Sequence, residues 1–177
     1  FKGFYMKNII LTIISLSTLT IHTYAKVPVD ENDIYLGAGF AIQSADKLDS
    51  GLGLILKGGF PFKNLKDGPG NLGVEAEFTH SIISPSKGSY EVDFSTLGGY
   101  ATYTYEFTED FYAKGRAGMV YYSVDKSSYG NDGMEVSVGI GAGYQFSENI
   151  NFYIDHTVTD ELSNFSLGAE YKFKGLR

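Results

Sequence analysis

Twelve charged residues stand at alternate positions, opposite apolar neighbours: Lys57, Glu75, Glu77, Glu91, Asp93, Glu106, Lys114, Arg116, Glu135, Asp155, Glu170 and Lys172. Charges of both signs gathered on an enclosed face must be paired or hydrated. The chemistry to expect is therefore a salt-bridge network that fills an interior, with a selectivity or gating element as the alternative. Lys57, Glu75, Glu77, Lys114, Arg116, Glu135 and Glu170 are singled out as that network. Lys114 and Arg116 lie two apart on one segment, and Glu75 and Glu77 two apart on another, so each pair projects to one side and the two pairs are expected to meet.

Other chemistries find weaker support. Gly68-Pro-Gly-Asn-Leu-Gly73 has the glycine spacing of a dinucleotide loop, but that mechanism needs a helix N-terminus after the glycines, and Val74 to Ile82 reads as a strand. The segment is expected to be a turn. His80 and His156, with no cysteine in the chain, would need carboxylates from other strands to hold zinc. No catalytic, cofactor-binding or metal-ligating set is assigned.

These residues must be positioned by strands. Period-two alternation marks eight segments, roughly 33 to 43, 51 to 60, 71 to 82, 89 to 107, 111 to 123, 134 to 146, 150 to 158 and 162 to 173. Between them lie clusters of Gly, Asn, Asp, Ser and Pro. An even number of antiparallel strands lets the last pair with the first, which removes exposed edges. The polar face is rich in glycine (37, 39, 53, 73, 139, 141, 143 and 168), as a narrow, crowded lumen requires. The apolar face then meets lipid. The fold class is all-β, a closed eight-stranded antiparallel up-and-down transmembrane barrel. A soluble carrier with the faces reversed is the rival.

Aromatic residues fall into two expected girdles. Phe60, Tyr105, Phe107, Phe111, Phe146 and Phe173 sit beside the shortest turns, and Phe40, Phe78, Tyr90, Phe94 and Tyr121 sit toward the other ends. The fourth segment carries a conflict. Tyr90, Val92 and Phe94 occupy even positions, whereas Leu97, Ala101, Tyr103, Tyr105 and Phe107 occupy odd ones. A β-bulge at Gly98-Gly99 would restore the register; otherwise the upper half of the strand stands clear of lipid.

Met6-Lys7, an apolar run from Ile9 to Ile21, and Thr23-Tyr24-Ala25 have the order of a secretory signal peptide. The run is too short and too hydroxylated for a spanning helix, which needs about 20 apolar residues. Residues 1–25 are read as leader and signal, with the start at Met6 and cleavage after Ala25, and 26–177 as one barrel domain with no attached soluble domain. The mature chain carries a net charge of about −9 and no basic patch, which argues against nucleic acid. Without cysteine, an exported chain must draw its stability from a complete hydrogen-bonded framework.

The C-terminal Phe165-Ser-Leu-Gly-Ala-Glu-Tyr-Lys-Phe173 resembles the terminal signal read by the outer-membrane barrel-assembly machinery, here Gly168, Tyr171 and Phe173. Lys174-Gly-Leu-Arg177 extends beyond the aromatic that normally ends such chains. With DFSTLGGYATYTY and VGIGAGYQF, the whole mature chain resembles the small outer-membrane β-barrel family, the group of the OmpA transmembrane domain and the opacity-protein-like barrels. The resemblance implies location in the outer membrane of a Gram-negative bacterium. It implies lipid and lipopolysaccharide as surroundings, the assembly machinery as a partner, an unidentified surface ligand, and a monomer. It leaves activity open, because the fold hosts adhesins, structural proteins and enzymes. In the lipid A deacylases of this fold a Ser lies two residues after the His, where this chain has Val158 after His156. The expected role is non-enzymatic, in envelope integrity or surface contact, with a small-solute channel and a lipid A-modifying enzyme as alternatives. The loops at Asp46-Lys47, Ser86-Lys87, Asp125-Lys126 and Asp160-Glu161 are short, and the first three each offer one Lys to phosphates.

Overall fold

Segments that alternate in polarity can hide only one face, and a run of them hides it most completely by closing on itself. The computed structural model describes residues 34–45, 49–62, 70–87, 90–91, 93–125, 131–160 and 162–173. The expectations for the signal peptide, the C-terminal tail and most loop tips fall outside these residues. Eight strands form the wall: β1 (Ile34–Ala45), β2 (Gly51–Pro61), β3 (Gly70–Ile83), β4 (Asp93–Glu106), β5 (Phe111–Asp125), β6 (Asn131–Gln145), β7 (Ile150–Val158) and β8 (Leu162–Phe173). Each pairs antiparallel with its sequence neighbours, and β1 also pairs with β8, from Ile34 opposite Phe173 to Ala45 opposite Leu162. The fold is a closed eight-stranded antiparallel barrel.

One rim carries two tight turns and both ends of the barrel wall. In Thr108-Glu109-Asp110 and Ser147-Glu148-Asn149 the first hydroxyl accepts a backbone N–H from Phe111 (3.1 Å) and Ile150 (3.2 Å), while Phe107 N–H and Phe146 N–H bond the carbonyls of those same two residues at 2.9 Å. Hydroxyl side chains folding back on the main chain stabilise such turns. Above this turn end the rings of Tyr105 and Phe107, Phe111 and Tyr144, Phe146 and Phe152, and Tyr171 and Phe173 pack in pairs 4.9–5.6 Å apart.

The faces are inverted relative to a soluble protein. Val136 and Ile140 are 70 % and 71 % exposed on the outer wall, and Leu36, Leu56, Met119 and Phe152 are exposed on it as well, whereas Lys57, Glu75 and Asp155 are buried. An apolar surface of this extent is incompatible with water. It overturns the soluble carrier.

The fourth segment differs from expectation. Its strand begins at Asp93 and not near residue 89, because Tyr90–Glu91 pairs instead with Ser86–Lys87 in a separate two-residue ladder. The registers of β4 with β3 and with β5 run without a shift, so no bulge forms at Gly98-Gly99. Among the described residues the register shifts at Leu52/Gly53, between β2 and β3. With the parity unbroken, Phe94, Thr96, Tyr100 and Thr102 all face inward, and Phe94 is 2 % exposed. Phe94 therefore leaves the expected outer girdle, and Asp93, expected inside, is exposed at the rim and accepts a hydrogen bond from Ser84. The physical reason is that the lumen near the loop end holds an apolar cluster among neutral polar side chains: Phe94 joins Ile55, Val120 and Ala41 there, beside buried Gln43, Thr79 and Ser81.

On the outer wall the continuous registers set residues in rows. Phe78, Leu97, Tyr121 and Met134 lie side by side across β3 to β6, and His80, Ser95, Ser123 and Asp132 form the next row toward the loop end. His80 Nδ1 and Ser95 Oγ are 2.8 Å apart, and Ser123 donates to Asp132 at 2.8 Å. An apolar row followed by a polar one is the profile of a bilayer boundary. Residues 131–137 of β6 run beyond the end of β7, whose ladder with β6 starts at Val138 opposite Val158.

Candidate functional site: an ion network inside the barrel

Five strands contribute to one buried cluster: Lys57 from β2, Glu75 and Glu77 from β3, Lys114 and Arg116 from β5, Asp155 from β7 and Glu170 from β8, none more than 5 % exposed. Lys57 Nζ donates to Asp155 Oδ2 at 2.7 Å, lies 2.8 Å from Glu170 Oε1, and sits 3.1 Å from the Tyr153 ring centroid. Lys114 Nζ donates to Glu75 Oε2 at 2.8 Å and reaches toward Asp155 (3.4 Å) and Glu170 (3.8 Å). Arg116 Nη1 donates to Glu75 Oε1 at 2.8 Å and to Glu77, Nη2 donates to Thr157, and the guanidinium lies 4.6 Å from the Tyr100 ring centroid. Glu75 also accepts from Tyr35 at 2.5 Å, and Glu170 from Tyr112 at 3.2 Å. Every charge has an opposite partner, and the chain of contacts crosses the whole bore.

The registers explain how such short distances arise between strands that are not neighbours. Gly37 on β1 stands between Lys57 and Glu170, paired with both, and their ion pair passes over it. Gly141 on β6 likewise stands between Lys114 and Asp155. A Cβ on Gly37 would lie 2.9 Å from Glu170 Cγ and 3.3 Å from Lys57 Cγ, so a side chain there would wedge the pair apart. The inward glycines are the floor over which the long charged side chains reach each other.

The structure thus gathers Lys57, Glu75, Glu77, Lys114, Arg116 and Glu170 from the seven singled-out charges. Glu135 lies higher in the barrel, opposite Val120, with contacts of its own. Asp155, an inward charge not singled out, is central, because β7 places it two residues above Tyr153 on the same face. The tyrosines 35, 100, 112 and 153 were not expected as partners; their even spacing from the inward residues of their strands is the signal that would have found them. Glu106 and Lys172 stand at the turn-end mouth. The side chain of Glu91 lies outside the described residues. Gly168 faces Gly39 and Tyr153, while Tyr171 and Phe173 turn outward with rings 5.1 Å apart.

Neither histidine joins this cluster. His156 is on the outer wall between Ile140 and Phe165, 6.5 Å from the phenyl ring of the latter, and His80 is in the polar row. Among the described residues no group of three His, Cys, Asp or Glu is arranged to hold a metal. The cluster occupies the bore with paired, buried ions.

The same architecture occurs in solved structures. The attachment invasion locus protein Ail of Yersinia pestis, in complex with the heparin analogue sucrose octasulfate, is 18 % identical over 80 % of this chain and 97 % of its own, with a TM-score of 0.53. Neisserial surface protein A is 15 % identical over 82 % of this chain and 99 % of its own, at 0.53. The outer membrane enzyme PagL is 15 % identical over 78 % of this chain and 99 % of its own, at 0.51. At these identities the likeness is one of fold. No curated protein matches the sequence. Residues 11–173 match the outer membrane protein beta-barrel domain, and the chain belongs to that family.

Proposed function

We propose that this protein is a non-enzymatic barrel of the Gram-negative outer membrane that contributes to envelope integrity or surface contacts, with its turn end in the periplasm and its bore closed. The observation that carries this reading is the ion network drawn from five strands, which leaves the bore filled by paired charges. Eight strands enclose an interior just wide enough for side chains. The small-solute channel is thereby disfavoured. In this reading lipid and lipopolysaccharide surround the outward apolar wall, the assembly machinery recognises Gly168, Tyr171 and Phe173, and the barrel works as a monomer. Ail, solved with sucrose octasulfate, illustrates a small barrel that holds a ligand.

The likeness to PagL keeps an enzyme in view, and the nearest arrangement to one is the His80–Ser95 pair. A hydrolase would need a carboxylate to orient that imidazole. The nearer acid on that face, Asp93, two residues from Ser95 on β4, accepts from Ser84, and the acid of the polar row, Asp132, lies three strands from His80, roughly 14 Å at the usual strand spacing. It is bonded to Ser123 instead. Mass spectrometry of lipid A with and without expression tests this: unchanged acyl chains are expected, and the loss or gain of one would reject the non-enzymatic reading. A deletion strain with raised sensitivity to detergents and dyes, restored by the wild-type gene, would support the integrity role.

A further inference from the structure

At the loop end β6 is paired on one side only. Toward β5 its ladder runs from Asn131 to Tyr144, whereas toward β7 it begins at Val138 opposite Val158. Beyond that point the chain turns away, with Thr159 N–H on the Leu162 carbonyl at 2.8 Å. Phe146 N–H bonds the Ile150 carbonyl and the register above it is unbroken, so even-numbered residues of β6 direct both N–H and C=O toward β7. Above Val138 these are Asp132, Met134 and Val136, and among the described residues no backbone group reaches theirs on that side. The same residues carry exposed apolar side chains, Met134 at 62 % and Val136 at 70 %. Strand edges are ordinarily blunted by Lys, Pro or a bulge. Asn131 to Ser137 contains neither Lys nor Pro, and its ladder with β5 has no shift.

The geometry says what can cover this edge. The barrel wall starts and ends at the opposite rim, where Ile34 faces Phe173, and at the loop end the longest stretch outside the described residues, 126–130, is the turn of the β5–β6 hairpin itself. A second copy in the same membrane does not fit. Strands in such barrels tilt by about 35–45°, so two β6 edges related by a twofold axis along the membrane normal would cross at roughly 70–90° and form no ladder. Asp132 is exposed beside the edge, Asp93 is exposed at the same rim, and the chain has a formal net charge of −7. We propose that the edge takes up a strand from another protein: an extended peptide with apolar side chains opposite Val136 and Met134 and a Lys or Arg opposite Asp132. Main-chain hydrogen bonds hold such a strand and its alternate side chains select it. This rests on the surface-contact part of the reading above, but peptide binding to the purified chain depends neither on envelope integrity nor on a closed bore, so the failure of one is separable from the failure of the other.

The test is an NMR titration of the full chain in maltoside micelles with the acetylated, amidated pentapeptide Val-Thr-Val-Thr-Lys, whose first Val would lie opposite Val136 in an antiparallel ladder. Saturable shifts and slowed hydrogen exchange are expected at the amides of Asp132, Met134 and Val136. N-methylation of the peptide's third residue, which faces Met134, should weaken binding at least about tenfold through the lost backbone donor. N-methylation of its fourth residue, which turns away from β6, should change binding by less than about twofold. Met134→Pro removes an N–H that β5 does not use and should abolish the shifts, and Asp132→Lys should weaken the peptide through like charge. The proposal is overturned if the peptide does not saturate, if both N-methylated peptides bind alike, if Met134→Pro folds and binds as the wild type does, or if Asp132→Lys leaves affinity unchanged. It is equally overturned if concentrating the protein alone shifts the same amides, which would assign the edge to a second copy.

Discussion

The two halves of the lumen are filled by different chemistries. Toward the turn end lie the paired ions of Lys57, Glu75, Lys114, Arg116, Asp155 and Glu170; toward the loop end Ile55, Phe94 and Val120, only 1–5 % exposed, pack among buried neutral polar side chains such as Gln43, Thr79, Ser81 and Thr96. Both halves exclude solvent, but they tolerate change differently. An apolar filling loses contact area in proportion to what is removed. An ionic filling fails out of proportion, because deleting one member leaves its partners as uncompensated buried charges. The ionic half is also the more specific, since its pairs form only when Gly37 and Gly141 bring particular strands into register.

The largest effect is therefore expected at Arg116, the ion partner of Glu77. Arg116→Ala should cost about 3–5 kcal/mol if the site stays dry and less if water enters, read as a lower urea midpoint for unfolding from detergent or vesicles. Phe94→Ala should cost about 3 kcal/mol as a cavity and less if the loop end admits water. A Phe94→Ala loss equal to or greater than that of Arg116→Ala would reverse the ranking of the halves. Gly37→Val should cost about 1–3 kcal/mol through overpacking. In a double-mutant cycle with Glu170→Gln the two losses should be less than additive, because both act on the Lys57–Glu170 pair; full additivity would remove Gly37 from the argument. The smallest effect is expected outside the lumen: His156→Leu on the outer wall should change stability by less than about 1 kcal/mol, or raise it, since it replaces a polar ring with an apolar side chain facing lipid. A large loss there would show that His156 has a partner on the outer surface.

Much of this comparison was legible in the residues themselves. Alternation in Leu72 to Thr79, Val136 to Phe146 and Phe165 to Phe173 located strands within a few residues, because a two-residue period admits no other backbone. The approach of Lys114 and Arg116 to Glu75 and Glu77 was readable too, since position along a strand fixes height in a narrow barrel. Phe94 was not. Alternation separates two faces without saying that every apolar residue belongs outside, and an apolar cap inside the lumen has the same spacing as a girdle residue one strand position away. The bulge expected at Gly98-Gly99 followed from the same assumption and fell with it. Asp155 was readable as inward but not as central, because its partners come from β2 and β5, which only the closed topology brings opposite β7.

The central claim is that two unlike seals in series close the bore, and planar bilayer recording tests it most directly. The wild-type protein should give no steady conductance. Arg116→Ala and Phe94→Ala should each give at most brief flickering, because the other seal remains, and the double variant should conduct measurably more than either. A stable open channel in the unmutated protein would contradict the account and make Arg116 with its facing glutamates the constriction of a pore.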